Sequence, residues 1–167
     1  MPELTTSMTG TIALRPAATK DEAFLRLVYA SSREEELDRV AWAQGQREAF
    51  LRQQFDAQDA DYRRNYPGAE FLVIERDGEP VGRIYIHRTS GQIAILDIAL
   101  IAGARGAGTG TYLMSELIDE GQRAGLPVTI YVEKWNRARR LYDRLGFQQA
   151  ADTGVYLRMI RKPGARA

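Results

Sequence analysis

The sequence predicts an α/β protein of the α+β type: one domain built on a mixed, mostly antiparallel central sheet of about seven strands flanked by helices, in the order β-α-α-β-β-β-α-β-α-β-β. Three observations carry this prediction. Strand-like apolar runs follow one another between Ala69 and Ile101 with only Asp77-Gly78 and Ser90-Gly91 between them, and turns that short make antiparallel neighbours. The last of these runs leads through a glycine-rich loop into a helix and on to another strand, which a plain antiparallel meander would not contain. Finally, 167 residues are enough to build one core without disulfide or metal staples.

Residues 1–10 form a polar leader expected to be flexible, 11–162 hold the domain, and 163–167 form a loose tail. "TIALRPA", Thr11 to Ala17, alternates as a strand, and Pro16 puts its end near a sheet edge. Thr19 or Asp21 caps the helix "EAFLRLVYAS", with Phe24, Leu27 and Val28 on one face, and "REEELDRVAW" follows. In "QREAFLRQQFDAQDADYRRNY", Phe50, Leu51, Gln54, Phe55 and Tyr62 recur near helical spacing until Pro67-Gly68 stops the helix. "AEFLVIER" and "PVGRIYIHR" form a hairpin, because Asp77 and Gly78 tolerate the positive φ of a tight turn. "QIAILDIALI" is almost wholly apolar, as expected of a strand covered on both faces. The helix "TGTYLMSELIDEGQRAG" turns Tyr112, Leu113 and Leu117 inward, with Met114 as a further inward candidate, and ends at Gly125-Leu126-Pro127. "VTIYVEK" is a strand, "NRARRLYDRLG" a helix ended by Gly146, and "FQQAAD" with "VYLRMIRK" a last hairpin about Thr153-Gly154.

Composition narrows the chemistry. Lys and Arg number 23 against 22 Asp and Glu, a net charge of +1, so no broad basic face is offered to nucleic acid or an anionic membrane. Any anion must be held locally. With no cysteine and a single histidine, His87, the chain offers no thiolate zinc site, cysteine nucleophile or histidine-rich centre, and no metal is expected. No window reaches the ~18 to 20 apolar residues of a membrane span, and "MPELTTSMTG" lacks a basic segment followed by an apolar one. The simplest expectation is a soluble, cytoplasmic protein.

The loop Arg105-Gly106-Ala107-Gly108-Thr109-Gly110 places three glycines in five positions between strand and helix. A helix N-terminus presents N–H groups that no carbonyl within the helix can reach, and the aligned peptide dipoles make that end partly positive. Glycines there let a phosphate come against the backbone, with Arg105 adding charge at the rim. The other reading is a tight turn in which glycine only relieves strain. A nucleotide P-loop is ruled out because Gly110 is followed by Thr111, with no lysine. A dinucleotide fingerprint would need an opening parallel βαβ unit, whereas this loop follows an antiparallel run; only Glu133 sits where the ribose-binding acid would.

A strand followed by Arg105-x-x-Gly108-x-Gly110 and a helix resembles the pyrophosphate-binding motif of the GNAT (GCN5-related N-acetyltransferase) superfamily. "VEKWNRARRLYDRLGF", Val132 to Phe147, resembles the same family's later motif of strand, asparagine, helix and Leu-Gly-Phe. Both come in the family's order and separation, and the resemblance spans about residues 11 to 162. It implies an acetyl-CoA-dependent N-acetyltransferase that moves acetyl to a primary amine, on a small molecule or peptide, by direct attack in a ternary complex. Acetyl-CoA would be the donor, and a homodimer is a common assembly in the family. The resemblance also leaves open a non-catalytic acyl-CoA-binding or regulatory module of the same fold.

Carried over position by position, the pyrophosphate falls to the backbone around Arg105, Gly106, Ala107, Gly108, Thr109, Gly110 and Thr111. The pantetheine arm would pair like an added strand with Ile98, Ala99 and Leu100, admitted by a splay from "VTIYV". Tyr142 matches the tyrosine that protonates the leaving thiolate. A phenol near pKa ~10 serves a thiolate near ~8.5 only when well placed, and outside this motif the same residue would read as sheet packing. Asn136 matches the cofactor-side asparagine, or caps a helix; it stands six residues before Tyr142 where many members have seven, so Trp135 competes for that place. "AGAR" also has Gly103 where the family often places Pro-x-x-Arg, which loosens the loop.

For the general base, Asp97 within "AILDIAL" comes first, because burying a carboxylate without a use is costly; a hydrogen-bonded structural carboxylate is the alternative. Glu133, at the end of the next strand, is second, or else an exposed strand-end charge. His87 reads as a surface histidine before a substrate contact. The amine would be read by "SSREEELDRVAW" and the aromatics Trp42, Phe50, Phe55, Tyr62 and Tyr66. There Glu34, Glu35, Glu36 and Asp38 either attract a cation or form a solvated face.

Overall fold

The computed structural model describes residues 5–7, 10–134 and 136–164. Among these, the chain runs β1 (Thr5–Ser7), β2 (Gly10–Pro16), α1 (Glu22–Leu37), α2 (Gln46–Asn65), β3 (Glu70–Arg76), β4 (Glu79–Arg88), β5 (Ile93–Leu100), α3 (Thr109–Ala124), β6 (Val128–Glu133), α4 (Arg139–Arg144), β7 (Gln148–Asp152) and β8 (Tyr156–Arg161). The strands hydrogen-bond in the order β1-β2-β3-β4-β5-β6-β8-β7. β5 and β6 pair in parallel, whereas β1 with β2, β2 with β3, β6 with β8 and β8 with β7 pair antiparallel, so the sheet is mixed as expected. β1 is additional: Thr5–Ser7 of the expected leader pair with Gly10–Ile12. Among the described residues, no helix is long and apolar enough to cross a membrane.

The chain forms two compact units, Met1–Ile84 with Ile98–Ala107 and Tyr85–Asp97 with Gly108–Ala167. In the first, α1 buries Leu25, Val28, Tyr29 and Leu37. Leu27, expected inward, is 57% exposed. The helical period was legible, but its phase is set one residue away, by Leu25 instead of Phe24. Leu25, Tyr29, Phe55 and Val73 form a core cluster, with Phe24 and Leu51 packed on its edge and the Tyr29 and Phe55 rings edge-on at 6.1 Å. Phe55 is the one residue that α2 buries over 20 positions.

Asp21, just before α1, is almost wholly buried and receives both Nη groups of Arg15 at 2.8 Å and the Ala18 N–H at 2.8 Å. The Arg15 bonds, then the Ala18 amide, lower the Asp21 carboxyl from 3.8 to about 2. The same bonds hold Arg15 more firmly protonated, so the pair counts once. A depressed folded pKa gives stability that is present above the unfolded value and lost as pH falls through the folded one. The wild type should therefore lose about 2 kcal/mol between pH ~4 and ~2. Asp21→Asn should show most of that loss already at pH 7 and little further loss from this site on acidification. Denaturant unfolding of both proteins at the two pH values checks it, and parallel acid titrations would refute it.

In the second unit, α3 buries Leu113, Met114, Leu117, Ile118 and Gly121. A Cβ on Gly121 would lie 2.8 Å from the Leu126 carbonyl oxygen and 3.0 Å from Val128 Cγ2, so α3 lies tight against the start of β6. The register Ile93↔Val128 and Ile95↔Ile130 puts these residues on one face. Met159 and Leu157 of β8 stand opposite Ile130 and Val132 on that face, and all four are buried. Arg161, opposite Val128, donates from Nε to the Leu145 carbonyl at 2.7 Å and so fixes the end of α4 to the same face.

Candidate active site

The loop after β5 makes a short 3-10 turn at Ala102–Ala104 and then a left-handed step at Gly106, φ 77°. α3 begins with Gly108 in the left-handed region, φ 83°, a conformation that favours glycine. No side chain caps this helix. Its internal ladder starts with the Tyr112 N–H to the Gly108 carbonyl at 2.9 Å, so the preceding amides have no partner within the helix. A Cβ added at Gly106 or Gly110 meets nothing within 4 Å. Uncapped amides beside open space fit an anion such as a pyrophosphate. Thr109 is almost wholly buried, whereas Gly106, Ala107, Gly108 and Thr111 around it are exposed.

The β5–β6 ladder stops early. It covers Ile93↔Val128, Ala94↔Thr129 and Ile95↔Ile130, while β6 stays paired to β8 as far as Glu133↔Tyr156. Beyond Ile95 and Ile130 no further β5–β6 pair forms among the described residues. This corrects one expectation. β5 is buried only at Ile93–Ile95, and Leu96–Leu100, including Ile98 and Ala99, are half-buried, so cover on both faces does not run the whole strand. In the first unit, Gly82 of β4 permits a close approach to the end of β5: a Cβ there would collide with the Ala99 carbonyl oxygen and lie 2.8 Å from Leu100 Cδ2. A glycine inside a strand run is a recognisable signal of such an approach, and the sequence reading passed over it.

Tyr142 sits in α4 and is buried, with its ring edge-on to Phe147 at 5.9 Å. Burial first, and the Asp97 carboxylate second, push its phenol well above the ordinary tyrosine pKa. The hydroxyl therefore remains protonated at working pH and keeps its O–H as a donor. Asp97 is half-buried and alternates with Ile93 and Ile95, which puts it on the α4 face with Tyr142. Glu133 alternates with Tyr131 and lies on the opposite face of β6. The two candidate bases are thus separated, and Asp97 is the one grouped with Tyr142.

Asn136 accepts the Ala138 N–H on Oδ1 at 2.9 Å, so it does cap the turn into α4. Trp135, its competitor, lies outside the described residues. His87 is half-buried in β4 instead of lying on the surface. The acidic run is mostly solvated: Glu34, Glu35, Glu36 and Asp38 are exposed, with Glu36 paired to Arg33 at 3.3 Å and Asp38 to Arg47 at 2.7 Å. Trp42 and Phe50 stack at 5.3 Å, whereas Phe55 belongs to the core and lines nothing. A further group went unread in the sequence. Arg83 is buried, donates to Gln58 Oε1 at 2.9 Å, and lies 5.7 Å from the Tyr29 ring centroid, with Arg33 over the same ring at 5.5 Å.

Residues 23–147 match the family model for the acetyltransferase (GNAT) family. This chain is a GNAT-family acetyltransferase. No curated protein matches its sequence. Solved structures with the same fold include the PaiA N-acetyltransferase of Thermoplasma acidophilum in complex with coenzyme A, with 17% identity, 90% of this chain and 98% of that one covered, and a TM-score of 0.67. A histone acetyltransferase HPA2 and related acetyltransferase from Corynebacterium glutamicum is 20% identical, over 93% of this chain and 98% of that one, with a TM-score of 0.62. Ard1 from Thermoplasma volcanium is 23% identical, over 91% and 97% of the respective chains, with a TM-score of 0.59. At such identities the likeness is one of fold. The cofactor of a GNAT acetyltransferase is acetyl-CoA.

Proposed function

We propose that this acetyltransferase acetylates the nitrogen of a primary amine, on a small molecule or peptide, by direct attack in a ternary complex with acetyl-CoA. The observation that supports this reading is the end of the β5–β6 ladder at Ile95↔Ile130, in the unit that also holds Tyr142. Bound acetyl-CoA supplies the acetyl group as an activated thioester. The chain binds it and manages two protons. Backbone amides from Gly106 to Thr111 receive the diphosphate, and the edge at Ile98–Leu100 takes the arm. Tyr142 gives its phenol proton to the sulfur as the C–S bond breaks, and regains one from solvent. Asp97, on the Tyr142 side, accepts the proton that the amine loses as the N–C bond forms; Glu133, on the opposite face of β6, is the alternative.

Two measurements test this. Acetyl-CoA at about 100 times its Kd should stabilise the fold by about 2.7 kcal/mol, visible as a raised Tm. Thiol release from acetyl-CoA should then appear with at least one of a polyamine, an aminoglycoside, an amino acid and a peptide N-terminus. An unchanged Tm sinks the cofactor assignment. A raised Tm with silence across the amines would instead point to a non-catalytic acyl-CoA binder.

A further inference from the structure

Arg105 is the charged side chain of the glycine loop, and charge alone would assign it to the cofactor's phosphates. Its hydrogen bonds run elsewhere. Nε donates to the Leu100 carbonyl oxygen at 3.1 Å, and Nη2 donates to both the carbonyl and the hydroxyl oxygen of Ser31 at 3.3 Å. Leu100 ends β5, Ser31 lies in the second half of α1, and all three residues belong to the first unit. The Ser31 bonds join positions 74 residues apart, so they are tertiary and not a local turn. Nε and Nη2 form one edge of the planar guanidinium, an edge with which arginine grips an oxyanion in bidentate fashion. Here that edge is filled by neutral oxygens from two different elements.

We infer that Arg105 is a latch that fastens α1 to the end of β5 and the start of the glycine loop, leaving phosphate recognition to the backbone amides. This rests on the loop binding acetyl-CoA as proposed above. Arg105 is thus a positioning residue: its loss loosens the second half of α1 before it weakens the cofactor.

Arg105→Lys and Arg105→Ala in the full chain test the latch. Lysine keeps the charge and serves a phosphate as a point charge, but it has no rigid fork to span two acceptors. Calorimetry with coenzyme A and with pantetheine, which lacks the phosphates, measures the cofactor side; amide hydrogen exchange over residues 31–37 measures the latch. Both variants should bind coenzyme A within about twofold of wild type. The coenzyme A to pantetheine affinity ratio should not change, and exchange in 31–37 should be about tenfold faster or more. The latch is overturned if Arg105→Ala loses about tenfold in affinity for coenzyme A but not for pantetheine and lysine restores it. It is equally overturned if exchange in α1 is unchanged. Should the wild type fail to bind coenzyme A at all, the proposed function falls, while the exchange measurement still decides the latch.

Discussion

Replacing Tyr142 with Phe lowers turnover about 100-fold, the size of effect expected when a positioned proton donor is removed. It leaves the affinity for coenzyme A within about twofold, because phenylalanine retains the buried ring body. The ring keeps its edge-on contact with Phe147, and the backbone keeps its bonds from the Tyr142 N–H to Ala138 and from the Phe147 N–H to Tyr142. Only the hydroxyl goes. Burial and the Asp97 charge both hold the phenol protonated, so the wild-type rate should show no decline from tyrosine ionisation below pH ~10. Steady-state kinetics with the best amine of the panel, alongside calorimetry for coenzyme A, decides between outcomes. An effect on KM alone would make the hydroxyl a binding group, and unchanged turnover would remove Tyr142 from the chemistry.

Gly82→Ala should have the largest effect on the fold. The added methyl would meet the Ala99 carbonyl oxygen head-on and would also lie 3.1 Å from Leu100 Cα. Both atoms are backbone, so no rotamer change relieves the clash, and the end of β5 has to move. Overpacking of this kind costs about 2 to 3 kcal/mol, or about 5 to 10 °C in Tm for a chain of this size. Ala99 and Leu100 are also expected to bind the arm, so affinity for coenzyme A should fall together with Tm. Scanning calorimetry with and without coenzyme A measures both. A shift in Tm under about 1 °C would show that β4 and β5 do not approach as closely as described.

What the sequence made legible was local chemistry. The hairpin from β3 to β4 was readable because its turn needs Asp77 and Gly78 at positive φ, and they stand at 52° and 83°. The glycine loop was readable because it opens an uncapped helix. Features that depend on distant partners were not. The phase of α1 is decided by which side meets Val73 and Phe55, and a helical period cannot state that. Burial along β5 ends where its ladder with β6 ends, and an apolar run carries no mark of the place. Asp97 and Glu133 could each be read as a base, but their separation onto opposite faces depends on the register Ile95↔Ile130. Arg105 was read by its charge and motif; Ser31, 74 residues away, is what gives it a different task.

α2 buries a single side chain, Phe55, along its 20 residues. Exposed positions that anchor nothing tolerate substitution within about 0.5 kcal/mol. Selection can therefore rewrite most of this helix without endangering the fold, whereas a single methyl at Gly82 has nowhere to go. Where the resemblance places the amine beside α2 and the cofactor arm at the end of β5, a new acceptor preference would be reached through many nearly neutral steps, while the β4–β5 approach stays under tight steric constraint.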